Sequence, residues 1–315
     1  MSQRSVRPDL SGGEWAFVER LRARLPQAPQ GQVWIGDDAA VLGGGLLLTT
    51  DALVEDVHFD LVWCHASDVG WKALAVNLSD IAAMGGTPRA AVTTLVVPPG
   101  RPGLADGVID GVAEAANVFG CPLVGGDTTG GPVVMVSITV LGTVSPPGPV
   151  LRGGARVGDA VFVTGPLGAA AAALGALRLG RDPAPELAQR LHRPTPRLDQ
   201  GLTAAGAGAT AMIDLSDGLA TDLGHVCDAS GVGVRIEESA VPIAPGATFN
   251  DALSGDDYEL CFTVPDPALV SRRFEAAGCA APTRIATITT RERILVGTDG
   301  QERALPQAGW EHPIP

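Results

Sequence analysis

The sequence predicts an α+β protein built from two layered domains with mixed sheets. At roughly 150 residues per domain, 315 residues suggest two domains, and 45% hydrophobic against 18% charged residues suits buried cores rather than disorder. Strand-like and helix-like runs alternate in both halves, and no short repeat occurs. The stretch 145–149, Ser-Pro-Pro-Gly-Pro, interrupts both kinds of pattern, because proline lacks an N–H and disfavours helix before it. We therefore expect domains over 1–147 and 148–315.

The first half is expected to contain two clear helices among several strands. An amphipathic helix over 15–25 precedes strands over 33–42 and 46–53. Ser67 reads as the N-cap of a longer helix that ends at Gly85, with its apolar face formed by Trp71, Leu74, Ala75, Leu78, Ile81 and Ala82. A strand over 90–97 and a helix over 104–119 follow. The segment LVGGD (123–127), a Thr/Gly turn after Asp127 and a strand over 133–141 come next.

The second half repeats this alternation. A strand over 160–164 leads into an alanine-rich helix from Leu167, and further helices reach about Ala205. The remaining predicted elements are strands over 211–215, 232–236 and 258–264 and a helix over 217–229.

Composition excludes several classes of function. The formal net charge is −13, and Lys72 is the single lysine among scattered arginines, so a nucleic-acid backbone is not an expected partner. The five cysteines form no Cys-x-x-Cys pair and are expected as buried thiols in a reducing compartment. No apolar leader or membrane span is apparent in the sequence. We expect a cytoplasmic protein.

The common motifs of phosphate, hydrolase and zinc sites are missing. Lys72 follows a tryptophan, which excludes a P-loop, and no Gly-x-Gly-x-x-Gly, Gly-x-Ser-x-Gly or His-Glu-x-x-His occurs.

Acidic residues instead recur where apolar strands end in small residues. They stand at Asp37-Asp38, Asp51, Asp80, Asp127, and Asp214 with Asp217. Any one alone is also explained as a turn residue or a helix cap. If they converge, two charges about 4 Å apart repel by roughly 4 kcal/mol at an effective dielectric near 20, so cations would be required. Oxygen ligands with hydroxyl neighbours favour Mg²⁺ and a phosphate substrate.

Two local patterns refine this expectation. Strand alternation would send Asp37 and Asp38 to opposite faces, which predicts one metal ligand and one structural carboxylate. Gly125 and Gly126 would let the backbone approach a phosphate closely.

Seven segments together resemble the thiamine-monophosphate kinases, a family related to aminoimidazole ribonucleotide synthetase and selenophosphate synthetase. They follow one another over nearly the whole chain: IGDDAAVL (35–42), TTDALVEDVHF (49–59), KALAVNLSDIAAMGG (72–86), LVGGDTT (123–129), RGGARVGD (152–159), IDLSDGLATDLGH (213–225) and DDYELCF (256–262). Where the family usually shows Ser-Gly-Gly-Glu-Asp-Tyr-Glu-Leu, residues 254–260 lack one glycine and place Asp256 at the first Glu.

The resemblance implies the ATP-dependent phosphorylation of thiamine monophosphate to thiamine diphosphate, the final step in making that cofactor. It also implies an aminoimidazole ribonucleotide synthetase-like fold and a homodimer whose N-terminal sheets form a barrel. The implied Mg²⁺ ligands are Asp38, Thr49, Thr50, Asp51, Asp80, Asp127, Asp214 and Asp217, of which Asp127, Asp214 and Asp217 are the catalytic set. The implied ATP contacts are Gly126, Asp127, Arg152 and Ser216, and the implied substrate contacts are His58, Asp256 and Trp310.

Several of these residues also have plainer explanations. Arg152 could be a solvated linker charge, His58 a structural histidine, and Trp310 a tail residue packed on its domain. Lys72 suits either a phosphate neighbour or a solvated helix face.

The implied reaction needs no general base. A phosphate monoester has a second pKa near 6, so the attacking oxygen is already largely ionised at neutral pH. Two alternatives stay open: an ATP-using ligase or synthetase of the same superfamily, and a nucleotide-binding regulator without turnover.

Overall fold

A computed structural model describes residues 13–306 and 308–310. Two mixed sheets, each covered by helices, account for the strands of this described part. The predicted two-layered α+β architecture with mixed sheets is therefore confirmed. The first sheet lies in an open arrangement within one chain, in the order β1-β2-β5-β3-β4.

The first sheet and its helices come from the first half of the chain. β3 and β4 run parallel, whereas the other neighbours in this sheet are antiparallel. The elements are α1 (Glu14–Arg22), β1 (Ala40–Leu42), β2 (Leu46–Val54), α2 (Ala66–Ala83), β3 (Thr87–Val97), α3 (Leu104–Phe119), β4 (Leu123–Gly130) and β5 (Met135–Thr143).

Helices α2 and α3 cover one face of this sheet and cross at very short range. A Cβ atom at Gly70 would lie 1.9 Å from the Val108 carbonyl oxygen, and one at Gly111 would lie 1.8 Å from the Ser67 carbonyl oxygen. Only glycine lets the two backbones approach this closely. The packing buries Leu74, Leu78 and Ile81 of α2 completely. This fixes α2 as the central helix of the first half.

The second sheet has the order β12-β11-β8-β10-β6-β9-β7. Its core includes Phe162, Phe262 and Phe274, whose rings stack with centroids 5.6 and 5.9 Å apart. The elements are β6 (Ala160–Val163), α4 (Ala169–Arg178), α5 (Pro185–His192), α6 (Leu198–Gly206), β7 (Ala211–Asp214), α7 (Leu219–Ser230), β8 (Gly233–Glu237), a 3₁₀ turn (Glu238–Ala240), α8 (Phe249–Ala252), β9 (Leu260–Val264), α9 (Pro267–Ala276), β10 (Thr283–Thr289), β11 (Arg293–Val296) and β12 (Glu302–Ala304).

Helix α2 also connects the two halves. The Trp71 indole N–H donates to the Pro194 carbonyl at 2.9 Å, and the Arg193 guanidinium lies 5.2 Å from the Trp71 ring centroid. Arg193 also pairs with Asp68 on α2 and with Glu114 on α3. The second half is thereby held against the helix that carries several predicted site residues.

Some predicted boundaries were wrong for identifiable reasons. The helix α2 begins at Ala66 with His65 as its N-cap rather than Ser67, because the Asp68 carboxylate accepts the His65 N–H. The strand expected over 33–42 is reduced to β1 and one bridge at Val33, since Gly36 has φ of 110° and Asp37 ties down the loop. The Gly/Thr turn expected after Asp127 is part of β4, because it continues the pairing with β3.

No helix in the described ranges is long and apolar enough to cross a membrane.

The crossing of α2 and α3 is testable with one glycine and a matched control. We expect Gly111→Ala to lower the melting temperature strongly, because the new methyl group would overlap the Ser67 carbonyl. Gly175→Ala is the control: this exposed position on α4 has open space around it, so the change should be neutral or stabilise by roughly 0.5–1 kcal/mol. Equal effects in thermal denaturation would contradict the assigned contact.

Candidate active site

Three carboxylates from three separate elements meet in one cluster. Asp38 lies in the loop before β1, Asp80 lies on α2, and Asp214 ends β7. One oxygen of each lies within 4.8 Å of the others, and Asp38 and Asp214 are buried. The cluster therefore joins both halves of the chain.

Burial makes this cluster costly to ionise. It raises the pKa of Asp214 to about 8, and the charge of Asp38 adds to the effect. Burial, followed by the charges of Asp51, Asp214 and Asp38, raises the pKa of Asp80 well above its usual range. Without a cation, the cluster therefore retains protons near neutral pH.

Arg152 supplies the positive charge that the protein itself places at this cluster. Its Nη2 lies 2.6 Å from Asp38 Oδ1, and its backbone N–H donates to Asp37 Oδ2 at 3.1 Å. Burial, followed by the charge of Asp38, raises the pKa of Asp37 to about 7. Asp37 thus anchors backbone while Asp38 joins the cluster, the division of roles that the sequence suggested.

The donor set suits a hard divalent cation. Three carboxylates contribute only oxygen atoms, and the buried Asp38 Oδ2 has no hydrogen-bond partner among the described residues. A buried carboxylate oxygen without a partner is unfavourable unless a cation or another donor reaches it. These residues therefore fit Mg²⁺, which prefers oxygen ligands.

Strand β2 sends its predicted ligands to opposite faces of the sheet. The Thr49 hydroxyl donates to the Asp80 carboxylate on the helix-covered face. Asp51 lies on that face too, and its backbone N–H donates to the side-chain oxygen of the fully buried Asn77 at 3.0 Å. Thr50 points to the other face, where its hydroxyl bonds to the Ile138 carbonyl at 3.1 Å. The Thr50 side chain is therefore separated from the cluster.

Gly126 and Asp127 lie apart from the cluster within one chain. The register aligns Asp127 of β4 with Thr94, Ser137 and Ala52 on successive strands. Three strand spacings of about 4.8 Å separate it from β2, roughly 14 Å in all. A Cβ atom at Gly126 would lie 2.0 Å from the Thr93 carbonyl, so packing on β3 already requires glycine there.

The loop after β7 places Ser216 and Asp217 beside α7. The Asp222 carboxylate accepts the backbone N–H groups of Asp217 and Gly218 at 3.1 and 2.9 Å. Ligand atoms of Asp217, Asp222 and His225 lie within 4.8 Å of one another. Sequence reasoning missed Asp222, although an acidic residue in the first turn of a helix is a usual partner for such N–H groups.

A cavity of about 230 Å³ lies beside the opposite end of α2. His58, Lys72 and Asp256 line it, together with the apolar side chains Leu53, Val57, Phe59, Trp63, Leu174 and Leu191. The His58 Nδ1 accepts the Val54 N–H at 3.0 Å, so the neutral ring carries its proton on Nε2.

Asp256 connects this cavity with the loop that follows β7. Its backbone N–H donates to the Ser216 carbonyl at 2.7 Å, and its φ of 68° lies in the left-handed region. Its carboxylate lies 2.5 Å from the Lys72 ammonium. Lys72 is therefore buried in an ion pair, and a solvated helix face is excluded for it.

Trp310 lies at the same loop. Its backbone N–H donates to the Asp217 carbonyl at 3.0 Å, and the residue is 45% exposed. The structure thus brings Trp310 near Asp217, and Asp256 near Ser216.

Comparison with protein families matches both halves of the chain. Residues 36–144 match the N-terminal domain of AIR synthase related proteins, and residues 156–297 match their C-terminal domain.

Individual relatives give a more specific comparison. A thiamine-monophosphate kinase from Mycobacterium tuberculosis is 38% identical over 279 residues, covering 81% of this chain and 82% of the relative. One from Bacillus subtilis is 33% identical over 321 residues, covering 95% and 99%. The solved structure described as AaThiL complexed with AMPPCP and TMP has a TM-score of 0.83 at 32% identity, covering 99% of this chain and all of that one.

The raised carboxyl pKa values predict how stability depends on pH. The pKa of Asp214 is about 8 in the folded protein and near 3.9 when unfolded, so folding favours the protonated form. The resulting stabilisation is complete below about pH 4 and is lost as pH rises through about 8. We expect the melting temperature in a metal chelator to fall by several degrees between pH 5 and 8.5.

Substitutions of Asp by Asn test whether the cluster causes the fall in melting temperature between pH 5 and 8.5. Asp214→Asn should remove part of it, because Asp80 and Asp37 also have raised pKa values and remain in this variant. Asp110→Asn, at an exposed position on α3, should keep the whole fall. A melting temperature that is independent of pH in the unmodified protein would contradict the protonated cluster.

Proposed function

Because the chain belongs to the thiamine-monophosphate kinase family, within the AIR synthase related proteins, we propose that its acidic cluster and the neighbouring cavity form one kinase active site. The protein transfers a phosphoryl group from ATP to thiamine monophosphate. The observation that most directly supports this function is the cluster of Asp38, Asp80 and Asp214. It lies about two turns of α2 away from a cavity lined by acidic and aromatic residues. Free cysteines throughout the described chain support a cytoplasmic location.

The metal site is proposed from the donor set. Asp38, Asp80 and Asp214 would hold Mg²⁺, with Thr49, Asp51 and Asp217 beside them. When bound, Mg²⁺ neutralises phosphate oxygens and stabilises the charge that develops on the transferring group. The repulsion between Asp38, Asp80 and Asp214 favours cation binding, because it is relieved only by protons or positive charge.

The protein has to position the acceptor phosphate, but it does not have to activate it as a nucleophile. Its attacking oxygen is largely ionised at neutral pH, so no side chain has to remove a proton. The Arg152 guanidinium, now paired with Asp38, has the planar donor geometry that grips a nucleotide phosphate. Ser216 lies two residues after Asp214 and is proposed to contact the same nucleotide.

The cavity is proposed to hold the thiamine end of the acceptor. His58 presents its Nε2–H as a donor, and Asp256 offers a carboxylate that suits a cationic ring system. The exposed indole of Trp310 can attract a thiazolium by roughly 0.5–2 kcal/mol.

A homodimer is proposed because the first sheet leaves an apolar face uncovered. Leu46, Leu48, Val92, Val124 and Leu141 are all exposed, and seven of the eight residues of the edge strand β4 are exposed as well. An uncovered edge and face of this kind are characteristic of an interface. Two such sheets could close into a barrel, which removes their edges.

This dimer would also complete the metal and nucleotide site. If β4 of the partner subunit lies along residues 49–54 of β2, the part that β1 leaves unpaired, Asp127 of the partner subunit comes close to Thr50 and Asp38. Gly126 and Asp127 would then contact the nucleotide across the interface. On this proposal, residues 1–147 provide the dimer contacts, Asp38 and Asp80 of the cluster and part of the nucleotide site. Residues 148–315 add Asp214 to the cluster and complete the substrate site.

The reaction is tested by incubating the protein with Mg²⁺, ATP and thiamine monophosphate and separating the thiamine phosphates. We expect thiamine diphosphate from the monophosphate alone, and none from thiamine or without divalent cation. Product formed directly from thiamine would contradict a monophosphate kinase.

Removing a single carboxylate of the proposed metal and nucleotide site should abolish most turnover. Asp214→Asn and Asp127→Asn are each expected to lower kcat by about 100-fold or more, because each removes charge that supports the transferring phosphate. Circular dichroism should show an unchanged fold. Near-normal rates in both variants would contradict the assignment.

Mixing variants tests whether Asp127 acts across the dimer. Inactive Asp127→Asn and Asp214→Asn chains, unfolded and refolded together in equal amounts, should recover about a quarter of the unmodified activity. Half of the dimers are then mixed, and one of the two sites in each is intact. The control pair Asp38→Asn with Asp214→Asn should recover nothing, because both residues belong to one chain. Recovery in neither pair would overturn the shared site.

A further inference from the structure

The single lysine of the chain lies where a long helix passes the substrate cavity. Lys72 is on α2, eight residues before Asp80, and 1.5 Å of rise per residue separates the two by about 12 Å along the helix. Asp80 belongs to the metal cluster, whereas Lys72 lines the cavity. One rigid helix thus carries a residue of each part of the site.

The Lys72 ammonium forms an ion pair with Asp256. Its side chain is only 7% exposed, and its Nζ lies 2.5 Å from Asp256 Oδ2. An ammonium so far removed from water is unfavourable without a close carboxylate. This contact is the one ion pair found for Lys72 among the described residues.

The backbone and the side chain of Asp256 are held by two different parts of the chain. Asp256 and Tyr258 both have left-handed φ, 68° and 52°, which costs free energy for residues other than glycine. The backbone N–H groups of the two residues bond to the Ser216 and Leu215 carbonyls. Backbone hydrogen bonds to residues 215–216 hold this turn, whereas the ion pair with Lys72 of α2 holds the side chain of Asp256.

The carboxylate stays accessible while it is held. The Asp256 side chain is 33% exposed, against 7% for Lys72, and both line the cavity. Burial, followed by the charge of Asp256, raises the pKa of Tyr258 well above its usual range, so a neutral phenol lies beside this carboxylate. The Asp256 carboxylate is therefore oriented by Lys72 and open to a ligand on its cavity side.

We propose that Lys72 is a positioning residue: it holds the Asp256 carboxylate in the orientation that binds the thiamine part of the acceptor, and it acts on the substrate only through Asp256. This inference rests on the proposed function. It adds a residue to the acceptor site that lies outside the metal cluster and the nucleotide contacts. Its consequence is that loss of Lys72 should weaken acceptor binding and leave ATP binding unchanged.

A double-mutant cycle separates this indirect role from a direct contact. The variants are Lys72→Met, Asp256→Asn and the combination of both, with Lys72→Arg to retain charge and Arg235→Gln to remove an arginine from an exposed ion pair. We expect Lys72→Met to raise KM for thiamine monophosphate by about tenfold, the scale of one charged hydrogen bond. KM for ATP should stay within about twofold, and Arg235→Gln should change neither constant.

The double variant decides between the two roles. If Lys72 acts through Asp256, the double variant should be no worse than Asp256→Asn alone, because the second change removes nothing further. Lys72→Arg should restore part of the lost affinity. Effects of the two single changes that multiply in the double variant, or a raised KM for ATP, would overturn the proposal.

Thermal denaturation of the ligand-free variants tests the ion pair separately. Lys72→Met leaves the carboxylate without its partner and should lower the melting temperature, whereas adding Asp256→Asn should recover part of the loss. No recovery would contradict the pairing. This readout needs no turnover, so an inactive unmodified protein would reject the proposed function without affecting the result on the pair.

Discussion

Repulsion between three clustered carboxylates is the constraint around which the two halves of this molecule are arranged. Asp38, Asp80 and Asp214 come from a loop, a helix and a strand end, and none of these elements would crowd acidic groups for packing alone. Protons and the guanidinium of Arg152 offset the charge in the structure described. A cation at the same place would relieve the repulsion further and release Arg152 toward a phosphate. Stability is thus given up at the position where we propose that a cation binds, as is common for functional sites.

Helix α2 links the carboxylate cluster to the cavity, because it carries residues of both. Its close crossing with α3, made possible by Gly70 and Gly111, fixes its position on the first sheet. Trp71 and Arg193 hold the second half against it. Asn77, Asp80 and Lys72 then present an amide, a carboxylate and an ammonium at fixed spacings along one axis. The separation between the acidic cluster and the cavity that Lys72 lines is therefore set by the rise of α2.

The sequence was sufficient where a pattern is local. The periodic apolar residues of α2 and α3 predicted both helices. The acidic residues singled out beside small residues included Asp38, Asp80 and Asp214, which the structure brings together. The sequence was not sufficient to predict features that depend on contacts between residues far apart in the chain. The strand expected before Leu42 is mostly a loop because Asp37 bonds to the backbone of Arg152, more than a hundred residues away. The partner of Lys72 could not be foreseen either, since Asp256 lies 184 residues further along the chain. The face that Thr50 presents, and the distance of Asp127 from the cluster, follow only from the register of β2, β5, β3 and β4.

The central claim is that the carboxylate cluster is a divalent-cation site shared between the two subunits of a dimer. Anomalous diffraction from crystals grown with Mn²⁺ and a non-hydrolysable ATP analogue tests it most directly. The account predicts anomalous density between Asp38, Asp80 and Asp214, with Asp127 of the partner subunit beside the nucleotide phosphates. Manganese bound elsewhere, with the cluster still paired to Arg152 in the presence of the nucleotide, would contradict it.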